Sequence, residues 1–200
     1  MGYYYYLAPQ LPYLVYGQGV PMSSAAFIAL AQGTMSSADA AMLELCTLDP
    51  EPLAIKVPAG EPSSLPLQGP SYAQPVQPSR SVFINKWREW ERVLRLNLAR
   101  GRALKLKRDL ELDVPDFPTE AVVAAKNALT MESPLEAEFY LDKARWDAIE
   151  SFQGTDIFSE SSMYAYLLKL LLLERRAAFK VEEGYAEYNA LYAAILGEQK

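Results

Sequence analysis

One stretch of the chain, Phe83 to Asp109, has the apolar periodicity of a single long helix and is strongly basic. Between Arg80 and Arg108 there are ten lysines and arginines but only two acids, Glu89 and Glu91. The whole chain nevertheless carries a net charge of −6, so the residues outside this segment are strongly acidic. Such a segregated positive field must face either the protein's own acidic helices or an acidic partner. The segment therefore favours a helical interaction protein over an enzyme.

Two apolar seams run along this helix on nearly opposite faces. The first has a spacing of 4-3-4-3-4 and consists of Phe83, Trp87, Trp90, Leu94, Asn97 and Gly101. The second has a spacing of 3-4-3-4 and consists of Leu96, Ala99, Ala103, Leu106 and Leu110. Because each seam needs a neighbour, we expect an extra packing partner in the second half of the helix, where small residues allow a close approach.

Capping patterns and helix breakers place the other helices. Ser36 with Asp39, and Ser133 with Glu136, form capping patterns, and Thr119 is expected to cap a third helix. The predicted helices are at about Ser24–Gln32, Ser36–Cys46, Thr119–Leu129, Ser133–Gln153, Ser161–Phe179 and Glu182–Leu196, with Gly33 and Gly154 ending the first and fourth of them. The aromatic run Tyr3–Leu7 is expected to form a short extended segment.

The chain divides into three parts by composition. Residues 1–47 form an N-terminal segment with two short helices, residues 48–80 a proline-rich connector, and residues 81–200 a helical bundle that contains the basic helix. Eight prolines lie between Asp49 and Ser79, which excludes a helix there and predicts an extended strap. No pattern of alternating strands is present, so the predicted fold class is all-α.

The composition argues against catalysis. The chain has no histidine, which removes the commonest general base and the commonest transition-metal ligand. It has one cysteine, Cys46, which is expected to be a core residue in a reducing, cytoplasmic setting. The longest apolar run, Met163 to Leu173, falls short of the ~20 residues that a membrane span needs. We therefore predict no catalytic residue, no cofactor site and no metal site.

Two carboxylates fall on apolar helix faces, where an unpaired charge would be costly. Asp142 is one helical step from both Phe139 and Trp146, and Glu174 shares a face with leucines of its helix. One interpretation is a site built from paired carboxylates. The favoured one is that each carboxylate is buried and pairs with an arginine of the basic helix, which fixes the register of the bundle.

Four arginines share one flank of the long helix: Arg88, Arg92, Arg95 and Arg102. This flank is either a solvated, partly self-paired face or a docking face for an acidic protein, for RNA or for lipid headgroups. Because Trp87 and Trp90 point to the core seam, aromatic rings do not alternate with the arginines, and base stacking is poorly supported. Protein docking is the preferred functional interpretation.

Four segments of the chain resemble an uncharacterised bacterial family, the domain of unknown function 2764. They are the opening YYYYLAPQLPYL, the helix WREWER with its continuation LARGRALKLKRD, the segment SPLEAEFYLDKARWDAIE, and the closing AYLLKLLLLERRAAF. The resemblance covers nearly the whole chain in the same order and is weakest in the proline-rich connector.

The resemblance implies a place in a V-type (A/V-type) ATPase, because members of that family are typically encoded in the operons of this enzyme, where the C-type or d-type stalk subunit would be expected. It predicts a non-catalytic helical adaptor that contacts the rotor shaft, the membrane ring or both, at the cytoplasmic face of the membrane. An assembly factor for the same complex is the first alternative, and an RNA-binding helical module is the second.

Overall fold

The computed structural model describes residues 4–48, 78–107 and 114–179. Within these ranges the chain forms six α-helices and no β-strand. They are α1 (Ser24–Thr34), α2 (Ser37–Met42), α3 (Val82–Lys105), α4 (Thr119–Thr130), α5 (Pro134–Gln153) and α6 (Glu160–Ala178), with short 3-10 turns at Ala8–Gln10 and Leu43–Leu45. The predicted all-α bundle is confirmed. The proline-rich connector and the predicted last helix, Glu182–Leu196, lie outside the described residues.

The helix starts follow the capping chemistry of the sequence at most positions. Ser36, Ser81 and Ser133 each accept a hydrogen bond from the backbone N–H three residues later, as an N-cap serine does. Thr119 is not a cap, because α4 begins at Thr119 itself and Pro118 precedes it without a side-chain cap. Gly33 also does not end α1, since the helix continues to Thr34. Gly154 does end α5, with a φ of +74° that favours glycine.

The first seam of α3 forms the centre of the core. Phe83, Trp87, Trp90 and Leu94 are each at most 2% exposed, and α3 packs against α4, α5 and α6. The helix ends earlier than the predicted Asp109. Lys107 has a left-handed φ of +53°, and a residue in that conformation ends an α-helix.

The close approach predicted for the second half of α3 occurs at Gly101. A Cβ atom at this position would lie 2.1 Å from Cδ1 of Leu129, at the end of α4. This contact lies on the first seam, to which Gly101 belongs, and it involves the side chain of Leu129. The second seam is buried at Leu96 and Ala103 but not at its end, because Leu106 is 64% exposed.

The N-terminal part packs across the bundle. In place of the expected extended segment, residues 5–7 form a turn that leads into the 3-10 turn at Ala8–Gln10, where a proline at an early position favours a helical turn. Leu7 and Leu14 are buried in the core, and the hydroxyl of Tyr166 on α6 donates to the carbonyl of Pro12 at 2.8 Å. The far end of this part lies against α3, where Trp87 Nε1 donates to the carbonyl of Thr47 at 3.2 Å.

Candidate functional site

A network of buried ion pairs joins the basic helix to α5. Arg145 on α5 donates from Nε and Nη2 to the two carboxylate oxygens of Glu91 on α3, each at 3.1 Å. Its Nη1 donates to Oδ1 of Asp142 at 3.1 Å. The side chains of Glu91 and Arg145 are 4% exposed and that of Asp142 is 1% exposed. Glu91 also accepts from Nε of Arg95 at 2.7 Å, so it neutralises one arginine from each helix.

The network continues to α6. Arg175 Nη2 donates to Oε2 of Glu138 at 3.0 Å, and its Nε lies 3.9 Å from Oδ1 of Asp142. Glu138 in turn lies 3.9 Å from Nη2 of Arg102 on α3. Three helices that form the core are therefore linked by seven alternating charges: Arg95, Glu91, Arg145, Asp142, Arg175, Glu138 and Arg102.

Burial sets the electrostatics of the two central residues. Burial alone would lower the pKa of Arg145, but the adjacent carboxylates of Glu91 and Asp142 raise it above its ordinary value, so this arginine stays charged. The pKa of Asp142 is raised by burial, against the opposing effect of Arg175 and Arg145. Its Oδ2 is buried and has no hydrogen-bond partner in the part of the chain that the structure describes. Asp142 is therefore the least satisfied member of the network.

Asp142 thus pairs with arginines of α5 and α6, and the predicted pairing with an arginine of the basic helix is wrong. The basic helix contributes a carboxylate, Glu91, to the buried centre instead. Position 91 lies four residues after Trp87 and three before Leu94, which places it on the same buried face as these two residues. That spacing is the sequence signal that could have found Glu91.

Glu174 has a different partner from the expected one. Its carboxylate accepts from the backbone N–H of Ser24 at 2.6 Å and from the Ser24 hydroxyl at 2.7 Å. The side chain is partly buried at the contact between α6 and the first turn of α1. A carboxylate at a helix N-terminus is stabilised by the free backbone N–H groups and by the helix dipole. Glu174 therefore fixes α1 on α6 and does not meet the basic helix.

The four arginines of the predicted docking flank have different surroundings. Arg92 is 12% exposed and makes a bidentate pair with Glu89, and Arg95 is 22% exposed and binds Glu91. Arg95 also donates to the carbonyl of Leu48 in the N-terminal part. Arg88 is partly buried, and Arg102 is 63% exposed. The middle of the flank is therefore occupied by contacts within the protein, and Arg102 is the member most open to a partner.

A third buried carboxylate is Asp39, which the sequence indicated only as part of a capping pattern. It is 6% exposed and accepts hydrogen bonds from the hydroxyls of Tyr4 and Ser36, the latter at 2.8 Å, and it pairs with Arg80. The contact joins the start of the chain, α2 and the residues before α3. Because its polar partners come from three separate segments, only the tertiary structure shows that Asp39 is buried and paired.

An open groove of about 980 Å³ lies between α3, α4 and α5. Its walls are largely apolar and include Trp90, Phe117, Val123 and Phe152. Phe117 and Val123 are 77% and 48% exposed. Polar side chains also line it, among them Lys86, Glu89 and Asp147.

Within the described ranges, no three side chains of His, Cys, Asp or Glu are grouped closely enough to hold a metal ion. Cys46 is 5% exposed, and burial raises the pKa of its thiol, as expected of a core cysteine. None of the helices in these ranges combines the length and the apolar character needed to cross a membrane. No protein-family model, curated protein or solved structure matches the chain.

Proposed function

We propose that this protein is a non-catalytic subunit of a bacterial V-type ATPase, a helical adaptor of the stalk that serves the role of a C-type or d-type subunit. It acts by binding, at the cytoplasmic face of the membrane, to the rotor shaft, the membrane ring or both. In this role it supports ATP-coupled ion transport without carrying out a reaction of its own. The assignment to this enzyme rests on the sequence resemblance to the family that is encoded with it.

The structural observation that best supports an adaptor is the buried network centred on Arg145 and Glu91. An adaptor that transmits force between two partners must hold its helices in one fixed arrangement. Interdigitated apolar side chains already restrict how helices pack, and a bidentate arginine–carboxylate pair adds a further restriction because it has a single productive geometry. The pair between Glu91 and Arg145, extended through Asp142 to Arg175, fixes the register of α3 against α5 and α6.

The test is an affinity purification of the tagged full-length protein from detergent-solubilised native cells, with subunit stoichiometry measured by quantitative mass spectrometry. We expect stoichiometric recovery of the catalytic, shaft and membrane-ring subunits. Recovery of soluble subassemblies alone would indicate an assembly factor. If no ATPase subunit exceeds its level in a control with an unrelated tagged protein, the proposal is wrong.

A further inference from the structure

The groove between α3, α4 and α5 has large apolar side chains at its edge and small ones beneath them. Phe117 and Val82, which stand at the edge, are 77% and 68% exposed. Ala124 and Ala148 also line the groove but are buried, which leaves a hollow next to the exposed ring of Phe117. In the part of the chain that the structure describes, these residues line one continuous cavity of about 980 Å³. Exposed apolar surface of this kind is typical of an interaction site.

The same surface combines a projecting element with a receiving one. In a two-fold symmetric interface the same patch of both copies forms the contact, so the patch must be complementary to itself. Phe117 projects, and the hollow above Ala124 and Ala148 lies in the same groove. A two-fold axis through the groove places the α3 side of one copy opposite the α4 and α5 side of the other. Each copy can then insert its Phe117 ring into the hollow of its partner.

The charged residues of the groove are also complementary to themselves. Lys86 lies on the α3 side and Glu120 on the α4 side, both are exposed, and within the described ranges neither takes part in an ion pair. The other two charged residues of the groove, Glu89 and Asp147, already pair with cations of their own helices. The two-fold arrangement brings the side of Lys86 in each copy opposite the side of Glu120 in the other, so the same ion pair can form twice.

We propose that this groove is the contact surface of a symmetric homodimer, in which Phe117 enters the groove of the other copy and Lys86 pairs with Glu120 across the interface. The opposite signs of these two charges favour a second copy as the occupant. A nucleic acid or an anionic membrane would attract Lys86 but repel Glu120, and a cationic surface would do the reverse. A second copy presents both signs at the matching positions. The inference is independent of the proposed function, because it concerns contacts between copies of this chain.

Analytical ultracentrifugation of the purified full-length protein at about 1 to 100 μM tests the dimer. We expect the mass to rise with concentration from that of one chain to that of two. Phe117→Asp should weaken self-association by about tenfold or more, because it places a charge in an apolar contact. Ile157→Asp is the matched control, since Ile157 is 57% exposed and does not line the groove. Both variants should keep the thermal midpoint of the parent, because the substituted side chains are exposed.

Charge reversal tests the symmetry of the contact. Lys86→Glu and Glu120→Lys should each weaken self-association by about threefold or more, because each puts two pairs of like charges across the interface. The double variant Lys86→Glu/Glu120→Lys should restore self-association, since the same pairs form again with their signs exchanged. Lys126→Glu, which changes an exposed residue of α4 outside the groove, should leave it unchanged.

A zero-length cross-link identifies the contact directly. In a mixture of unlabelled and isotope-labelled protein, a carbodiimide should join Lys86 of one copy to Glu120 of the other. Mass spectrometry should then find linked peptides with one labelled and one unlabelled half.

A parent that stays monomeric up to about 100 μM would overturn the dimer, and so would a dimer that Phe117→Asp does not weaken. A charge-exchanged double variant as weak as the single variants would overturn the symmetric pairing. Cross-links that join Lys86 only to a carboxylate of its own chain within residues 49–77 or 180–200 would replace the second copy with that segment as the occupant. A monomeric parent that still recovers ATPase subunits in the affinity purification would leave the adaptor function unaffected.

Discussion

Arg145 and Glu91 meet through two parallel hydrogen bonds of 3.1 Å in the interior of the bundle, and they join α5 to α3. Both side chains are 4% exposed. A buried pair of this kind adds little net stability over an apolar pair of the same shape, because both charges lose their hydration. Removal of one partner, in contrast, lowers the stability of the fold, because the other charge stays buried without full compensation. This asymmetry makes the network open to a direct test.

Glu91→Gln is expected to lower the free energy of unfolding by about 3 kcal/mol, because Arg145 then keeps its charge with only Asp142 to neutralise it. Denaturation by urea, followed by circular dichroism, measures the change. Glu89→Gln is the matched control, two residues away in the same helix. Glu89 is 41% exposed, and its pair with Arg92 should contribute less than about 1 kcal/mol.

The triple variant Glu91→Met/Asp142→Leu/Arg145→Leu should recover most of the lost stability, since it removes Arg145 together with both carboxylates that it neutralises and leaves apolar side chains in their place. Equal effects of Glu91→Gln and Glu89→Gln would contradict a buried ionic centre. A triple variant as unstable as Glu91→Gln would show that packing, and not the stranded charge, causes the loss.

Local sequence patterns determine the helices, and they predict them well. The seam from Phe83 to Leu94 and the caps at Ser36 and Ser133 depend on residues three or four positions apart, which the chain specifies locally. The partners of Asp142 and Glu174 depend on how helices far apart in sequence are aligned. The apolar spacing therefore predicts which carboxylates lie on apolar faces, but the arginine partners expected for them in the basic helix are wrong.

The close contact between α3 and α4 predicts that the effect of Gly101→Ala on the free energy of unfolding changes sign when Leu129 is truncated. Gly101→Ala should lower the free energy of unfolding by about 1–2 kcal/mol, because the new Cβ would overlap the side chain of Leu129. In a Leu129→Ala background the same substitution should raise it by up to about 1 kcal/mol, since alanine favours a helix more than glycine does. Equilibrium denaturation of the four proteins completes the cycle, and equal effects in both backgrounds would exclude the overlap.

The raised pKa of Asp142 predicts a pH dependence of known sign. An acid whose pKa is higher in the folded protein than in the unfolded chain binds protons more readily when folded, so its contribution to stability falls as the pH rises. For Asp142 this loss begins near its ordinary pKa of 3.8 and is complete above the raised value. Asp142→Asn removes this contribution.

The difference in unfolding free energy between Asp142→Asn and the parent should therefore shift in favour of the variant as the pH rises from about 4 through the raised pKa of Asp142. Urea denaturation across this range measures it. Asp147→Asn is a suitable control because Asp147 is on the same helix and is 56% exposed. A constant difference for Asp142→Asn, or one that moves towards the parent as the pH rises, would show that burial does not dominate the titration of Asp142.

Glu174 tests whether α1 is held on α6 by a carboxylate at its first turn. Glu174→Ala should lower the free energy of unfolding by about 1–2 kcal/mol, since the backbone N–H and the hydroxyl of Ser24 both lose their acceptor. Glu174→Gln should cost less than about 1 kcal/mol, because an amide still accepts from the N–H and donates to the hydroxyl. A double-mutant cycle of Glu174→Ala with Ser24→Ala should give a coupling energy near 1 kcal/mol, whereas the cycle with Arg95→Ala should be additive. Coupling to Arg95 and none to Ser24 would instead support the pairing with the basic helix that the sequence first suggested.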